Sequence, residues 1–131
     1  MIMTLDYNSD IPIYVQLRNQ IVIGIGVGGL NYGEKLPTVR QLADDLGVNA
    51  MTVNKAYALL KNEGYISIDR RHGAKVRTEW SKQADFSQKL EYELKLVISE
   101  ASLKGIEQEQ FMHICSNIFK AAMSKNHPLP E

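Results

Sequence analysis

Two short helical patterns joined by a tight turn constrain this chain more than any other feature of its 131 residues. From Leu36 to Ile66 it reads LPTVRQLADDLGVNAMTVNKAYALLKNEGYI. Thr38-Val39-Arg40-Gln41 is a capping box, in which the Thr38 hydroxyl accepts from the Gln41 N–H and the Gln41 side chain reaches back. A short helix continues to about Leu46, with Val39, Leu42, Ala43 and Leu46 facing inward, and Gly47 ends it as a left-handed cap. Asn49 caps the next helix, whose inward stripe is Val53, Ala56, Tyr57 and Leu60 and which ends at Gly64. A connection of this length holding a glycine and an apolar residue is what a helix-turn-helix requires, with Val48 plugging the crevice between the helices. The second helix of such a motif begins with residues kept out of the core: Asn49, Ala50, Met51, Thr52, Asn54 and Lys55 lie off the stripe, where base edges and phosphates would meet them.

The flanking sequence completes a larger unit. Asp10-Ile11-Pro12 starts a helix, because proline's missing N–H costs nothing in a first turn. Tyr14, Leu17, Ile21, Ile25 and Gly28 then recur along one face. Gly24 and Gly26 weaken this helix by very roughly 1 kcal/mol each relative to alanine, so tertiary packing must compensate or a neighbouring backbone must come close. NYGEKLP breaks the pattern at Gly33 and Pro37. After the third helix, YISI and AKVRT flank the charged turn DRRHG, closed by Gly73, and read as a β-hairpin. Helical periodicity returns beyond Trp80, which packs at the junction between the hairpin unit and the C-terminal helices. Phe86, Leu90, Leu94, Val97 and Ala101 form one stripe. After Gly105, Phe111, Ile114, Cys115, Ile118, Phe119 and Ala122 form another, and SKNHPLPE is a fraying tail. The expected fold is mainly α with a small β-hairpin: a winged helix-turn-helix head at residues 1–78 and a two-helix dimerisation tail at residues 79–131. Two apolar stripes on so short a tail make too little core to stand alone. Pairing with a second copy through Phe86, Leu90, Leu94, Val97, Phe111, Ile114, Ile118 and Phe119 is the natural burial.

Charge distribution says more than the formal net charge of zero. Residues 1–78 carry nine Lys/Arg against seven Asp/Glu, and RRHGAKVR, Arg70 to Arg77, holds four bases and no acid. Arg70 and Arg71 beside His72 and Gly73 make a basic wing tip suited to a nucleic-acid backbone or minor groove. Other chemistries fit poorly. GIGVGG, Gly24 to Gly29, matches a dinucleotide fingerprint by letters, but LNYGEKLP behind it cannot supply the helix that must meet a pyrophosphate. His113 and Cys115 are two apart, on different faces of a helix, and no Cys/His pair has zinc spacing, so no metal or cofactor is expected. No catalytic constellation is visible. The first ten residues lack the basic and apolar regions of a signal peptide, no apolar run reaches the roughly 18–20 residues that span a bilayer, and the single Cys115 suits a reducing cytoplasm.

IPIYVQLRNQI, YGEKLPTVRQLADDLGV, TVNKAYALLKNEGYI and RRHGAKV, in this order and spacing, resemble the winged-helix head of the GntR family of bacterial transcription regulators. The short tail is similar to that of its YtrA-like subfamily. The resemblance implies a homodimeric, sequence-specific regulator, a repressor, on an inverted-repeat operator in double-stranded DNA. It implies Arg40 on a base in the major groove, Thr38 at phosphate, Thr52 and Asn54 on phosphate or base, and His72 and Gly73 at the minor groove or backbone. It leaves open a small-molecule effector, which would sit at the dimer interface or between head and tail. Two alternatives compete from the residues alone: Arg40 in an ion pair with Asp44 one helical turn on, and a winged helix that binds protein instead of DNA. Against the second, such a module need not keep Arg40, Lys55, Arg70 and Arg71 basic.

Overall fold

Pro12 opens the first helix as expected: its carbonyl accepts from the N–H groups of Val15 and Gln16, and the chain winds on as α1 (Ile13–Val27). The computed structural model describes residues 3–80 and 85–124. The remaining elements are α2 (Val39–Leu46), α3 (Ala50–Asn62), β1 (Ile66–Asp69), β2 (Gly73–Val76), α4 (Phe86–Leu103) and α5 (Gln108–Met123). The expected fraying tail from Lys125 onward, with His127, lies outside the described residues.

Leu17, Ile21 and Ile25 of α1 are buried against α3, whose Val53, Ala56, Tyr57 and Leu60 are all buried in turn. Leu42 and Ala43 of α2 close the same core, while Val39 and Leu46 are half-buried at its edge. Gly24 has its reason in Leu30. A Cβ at position 24 would lie 3.2 Å from Leu30 Cδ1, and Leu30, 1% exposed, tucks back under the end of α1. The close neighbour is thus a side chain. A Cβ added at Gly26 would meet nothing within 4 Å, so no close approach requires a glycine there.

The hairpin runs in the register Ile66↔Val76, Ser67↔Lys75, Ile68↔Ala74 and Asp69↔Gly73, so Asp69 belongs to the strand and the turn is Arg70-Arg71-His72. Ile66, Ala74 and Val76 point into the core. NYGEKLP does more than break a helix. Gly33 N–H donates to Val76 O, Val76 N–H to Glu34 O and Leu36 N–H to Ala74 O, at 2.9–3.0 Å, and Lys35 bridges Lys75. Residues 33–36 therefore lie as a third edge along β2 and lead straight into Thr38.

Arg18 fastens α1 to the end of α3. Its Nε and Nη2 meet the two Glu63 carboxylate oxygens at 2.9 and 3.0 Å, and its guanidinium lies 5.6 Å from the Tyr65 ring centre. The hydrogen bond to Glu63 raises the Arg18 pKa further, against the opposing effect of burial. Trp80 packs on Tyr32 and Tyr65, at ring distances of 5.1 and 6.4 Å, so the chain leaves the head under an aromatic cluster. In the tail, α5 runs close to α1. Neither α4 nor α5 has a buried residue. Phe86, Leu90, Leu94, Val97, Ile114, Ile118 and Phe119 are exposed, and Phe111 is half-buried.

Candidate nucleic-acid interface

Local chemistry sets the two ends of the turn. Thr38 Oγ1 accepts from Gln41 N–H and Thr38 N–H donates to Gln41 Oε1, both at 3.1 Å, which satisfies two orphan donors of α2 reciprocally. Gly47, at φ 68°, ends α2 in the left-handed region, and the Val48 N–H returns to Ala43 O. Asn49 Oδ1 accepts from Met51 N–H at 2.8 Å and so starts α3. The half-buried Val48 packs against the core from the turn. Asn49, Ala50, Met51, Asn54 and Lys55 are exposed and Thr52 is half-buried. Arg40 is exposed on the first turn of α2 and makes no ion pair with Asp44 among the described residues.

A cleft of about 360 Å³ joins three separate stretches of chain. Its walls include Thr38 at the start of α2, Asn54, Ala58 and Lys61 on the outer face of α3, and Gly73 on the wing. Tyr57 holds two of these walls together. Its hydroxyl donates to Pro37 O at 2.7 Å, tying the residue before the α2 cap to α3, and burial pushes its pKa up to about 12. Sequence reading missed Lys35 and Lys61, which add two cations to the rim. Lys61 was legible, because 54, 58 and 61 continue one helical face. Lys35 was not, because its place depends on the edge pairing with β2.

Lys55 is exposed as expected, and its Nζ lies 5.4 Å from the Tyr14 ring centre, so the side chain leans on α1. A cation over an aromatic face at an exposed site contributes about 0.5–1 kcal/mol.

The wing tip is built around Asp69. Its carboxylate accepts from the Arg71 N–H at 2.8 Å and the His72 N–H at 2.6 Å, and lies 3.2 Å from the His72 ring. Gly73 then takes φ 70°, which a side chain would strain. Arg70, Arg71 and His72 are left exposed. The backbone donor of His72, then its ring and the Arg71 N–H, hold the Asp69 carboxyl below the usual aspartate value. A carboxyl with a depressed folded-state pKa orders the turn at pH values above the unfolded value of about 3.9. That contribution is lost as pH falls through the lower folded value. NMR titration of Asp69 together with the Arg71 and His72 amides should show all three moving together at a pH below the ordinary aspartate range. Titration of Asp69 at the ordinary value would remove the turn from its control.

No helix among the described residues is long and apolar enough to cross a membrane, and no three of their His, Cys, Asp or Glu side chains are grouped to hold a metal. Comparison with known proteins agrees with the architecture. The HTH-type transcriptional repressor YtrA of Bacillus subtilis is 35% identical over 109 residues, covering 81% of this chain and 83% of that one. The HTH-type transcriptional regulator Rv1152 of Mycobacterium tuberculosis is 41% identical over 68 residues, 52% of this chain, and the match spans 56% of that regulator's length. The solved structure of YtrA from Sulfolobus acidocaldarius, a GntR-family transcription factor, is 36% identical with a TM-score of 0.59, covering 79% of this chain and 99% of that one. None of these relatives is named as an enzyme. Residues 13–76 match the bacterial regulatory proteins of the gntR family, and on this match together with the YtrA similarity the chain belongs to that family.

Proposed function

We propose that the protein is a transcriptional repressor that binds an inverted-repeat operator as a homodimer. The observation that carries the reading is the convergence of Thr38, Asn54 and Gly73, from three separate stretches, on one cleft rimmed by Lys35 and Lys61. Arg40 and the exposed start of α3, Asn49 to Asn54, read base edges in the major groove. Arg70, Arg71, His72 and Gly73 touch the backbone or the minor groove. Lys55, leaning on Tyr14, would reach phosphate only after leaving the ring. Residues 1–78 act as the DNA-binding unit and 79–131 as the dimerisation unit. The exposed stripes of α4 and α5 pair between protomers, and the half-sites lie about one helical turn, roughly 34 Å, apart, as is usual for helix-turn-helix dimers. An effector would bind at the dimer interface or between head and tail. The setting is the cytoplasm.

Purified protein titrated against the promoter of its own operon and against random duplex of equal length, at two salt concentrations, tests this. Tight binding to the promoter, well above random DNA, is expected. Equal, weak and salt-sensitive binding to both would leave only a basic surface and would favour the protein-binding alternative. Arg40→Ala should weaken operator binding by about 1–3 kcal/mol and leave the fold intact, since the side chain is exposed and makes no ion pair among the described residues. Unchanged operator affinity by gel shift, with a normal thermal transition, would take Arg40 out of the major groove.

A further inference from the structure

The N-terminal arm is hydrogen-bonded along α1 in a way that the sequence alone does not announce. Gln20 accepts from Thr4 N–H through Oε1 and donates through Nε2 to Thr4 O. Gln16 does the same with Asp6, accepting from its N–H at 2.8 Å and donating to its carbonyl at 2.9 Å. The spacing explains the match. Two residues of extended chain advance about 6.6 Å and four residues of helix about 6 Å. Glutamines one turn apart can therefore each take both backbone bonds of alternate arm residues running the opposite way. Met3 and Leu5 pack against the core, and Gln16 Nε2 also donates to Ile11 O where α1 begins. The arm thus reaches α2 already anchored. There the Tyr7 hydroxyl donates to Leu46 O at 3.0 Å. Leu46 is the last residue of α2, so this carbonyl has no partner further along its own helix. Gly47, Val48 and Asn49, which aim α3, come directly after it.

We propose that residues 3–10 are a strap holding the α2–turn–α3 unit at a fixed angle on α1, with Tyr7 as a positioning residue for DNA recognition. The second half of this rests on the DNA-binding reading above. Tyr7 acts through the Leu46 carbonyl and the turn behind it.

The test uses the full chain and two variants, Tyr7→Phe and the double change Gln16→Leu with Gln20→Leu, each first checked for native helix content by circular dichroism. Amide exchange in the free protein should speed up about three- to tenfold at Gly47 and Val48, as expected for losing one hydrogen bond. The centres of α1 and α3 should stay unchanged. Operator affinity should fall by a similar factor, with random-duplex affinity unaffected. Unchanged exchange at Gly47 and Val48 in both variants overturns the strap. Faster exchange with wild-type operator affinity overturns the positioning role. A wild-type protein that cannot tell operator from random duplex overturns the DNA-binding reading, and the exchange result still decides the strap.

Discussion

Leu60→Ala should lower the free energy of unfolding by about 2–5 kcal/mol, the usual range for emptying a well-packed leucine site. Leu60 is 0% exposed on α3, in the layer shared with Leu17 and Ile21 of α1, which are also fully buried. The Arg18–Glu63 pair fastens α1 to α3 on one side of the vacancy, and the Tyr57–Pro37 bond holds α3 to the chain entering α2. The cavity therefore has little room to collapse, which places the expected loss in the upper half of the range. Domains of this size are stable by only about 5–15 kcal/mol, so a large fraction of the folded state's margin would go. Urea unfolding followed by circular dichroism measures it directly. A loss below about 1 kcal/mol would mean that α1 and α3 close over the vacancy and are less firmly tied than their fastenings imply. Operator binding should persist at temperatures where the variant is still folded, because Leu60 lies on the inner face of α3.

With the proposed dimer, Leu94→Glu combined with Val97→Glu should convert the protein to a monomer and weaken operator binding about 10²–10⁴-fold, the range over which linked sites gain avidity. The two side chains are 41% and 48% exposed in the single chain, so the change costs the isolated fold little. At a two-fold interface each glutamate would meet its own symmetry mate or a neighbour of the same charge, in a patch now drained of water. Sedimentation and an operator titration on the same preparation read the two effects. Dimers that survive the double change would move the interface away from α4. Loss of dimers without loss of operator affinity would show that one head suffices for binding.

What the sequence made legible is what acts within about one helical turn. The Thr38–Gln41 box, the Gly47 cap, the Asn49 cap and the Val53–Leu60 stripe are each decided by residues a few positions apart, and each stands as the pattern implied. What it hid depends on partners distant along the chain. Arg18 and Glu63 are 45 positions apart, and Tyr7 and Leu46 are 39 apart. Residues 33–36 pair with β2, far along the chain, so NYGEKLP looked like mere punctuation. Lys55 shows the same limit in the candidate site: helical spacing put it on the outer surface, and only packing could reveal that α1 offers it Tyr14. Spacing named the candidate residues. It could not supply the cleft, because a cleft is a property of three segments at once.

The edge bonds from residues 33–36 to β2 make the head a caliper. One jaw is the wing tip and the other is the start of α2 with Arg40, and the backbone bonds of Gly33, Leu36 and Val76 lock the hinge between them. The distance between the two points proposed to touch DNA is therefore fixed by the protein. An operator half-site that gains or loses a base pair between those points must itself twist or bend to fit, and the cost of the mismatch falls on the stiffness of the duplex.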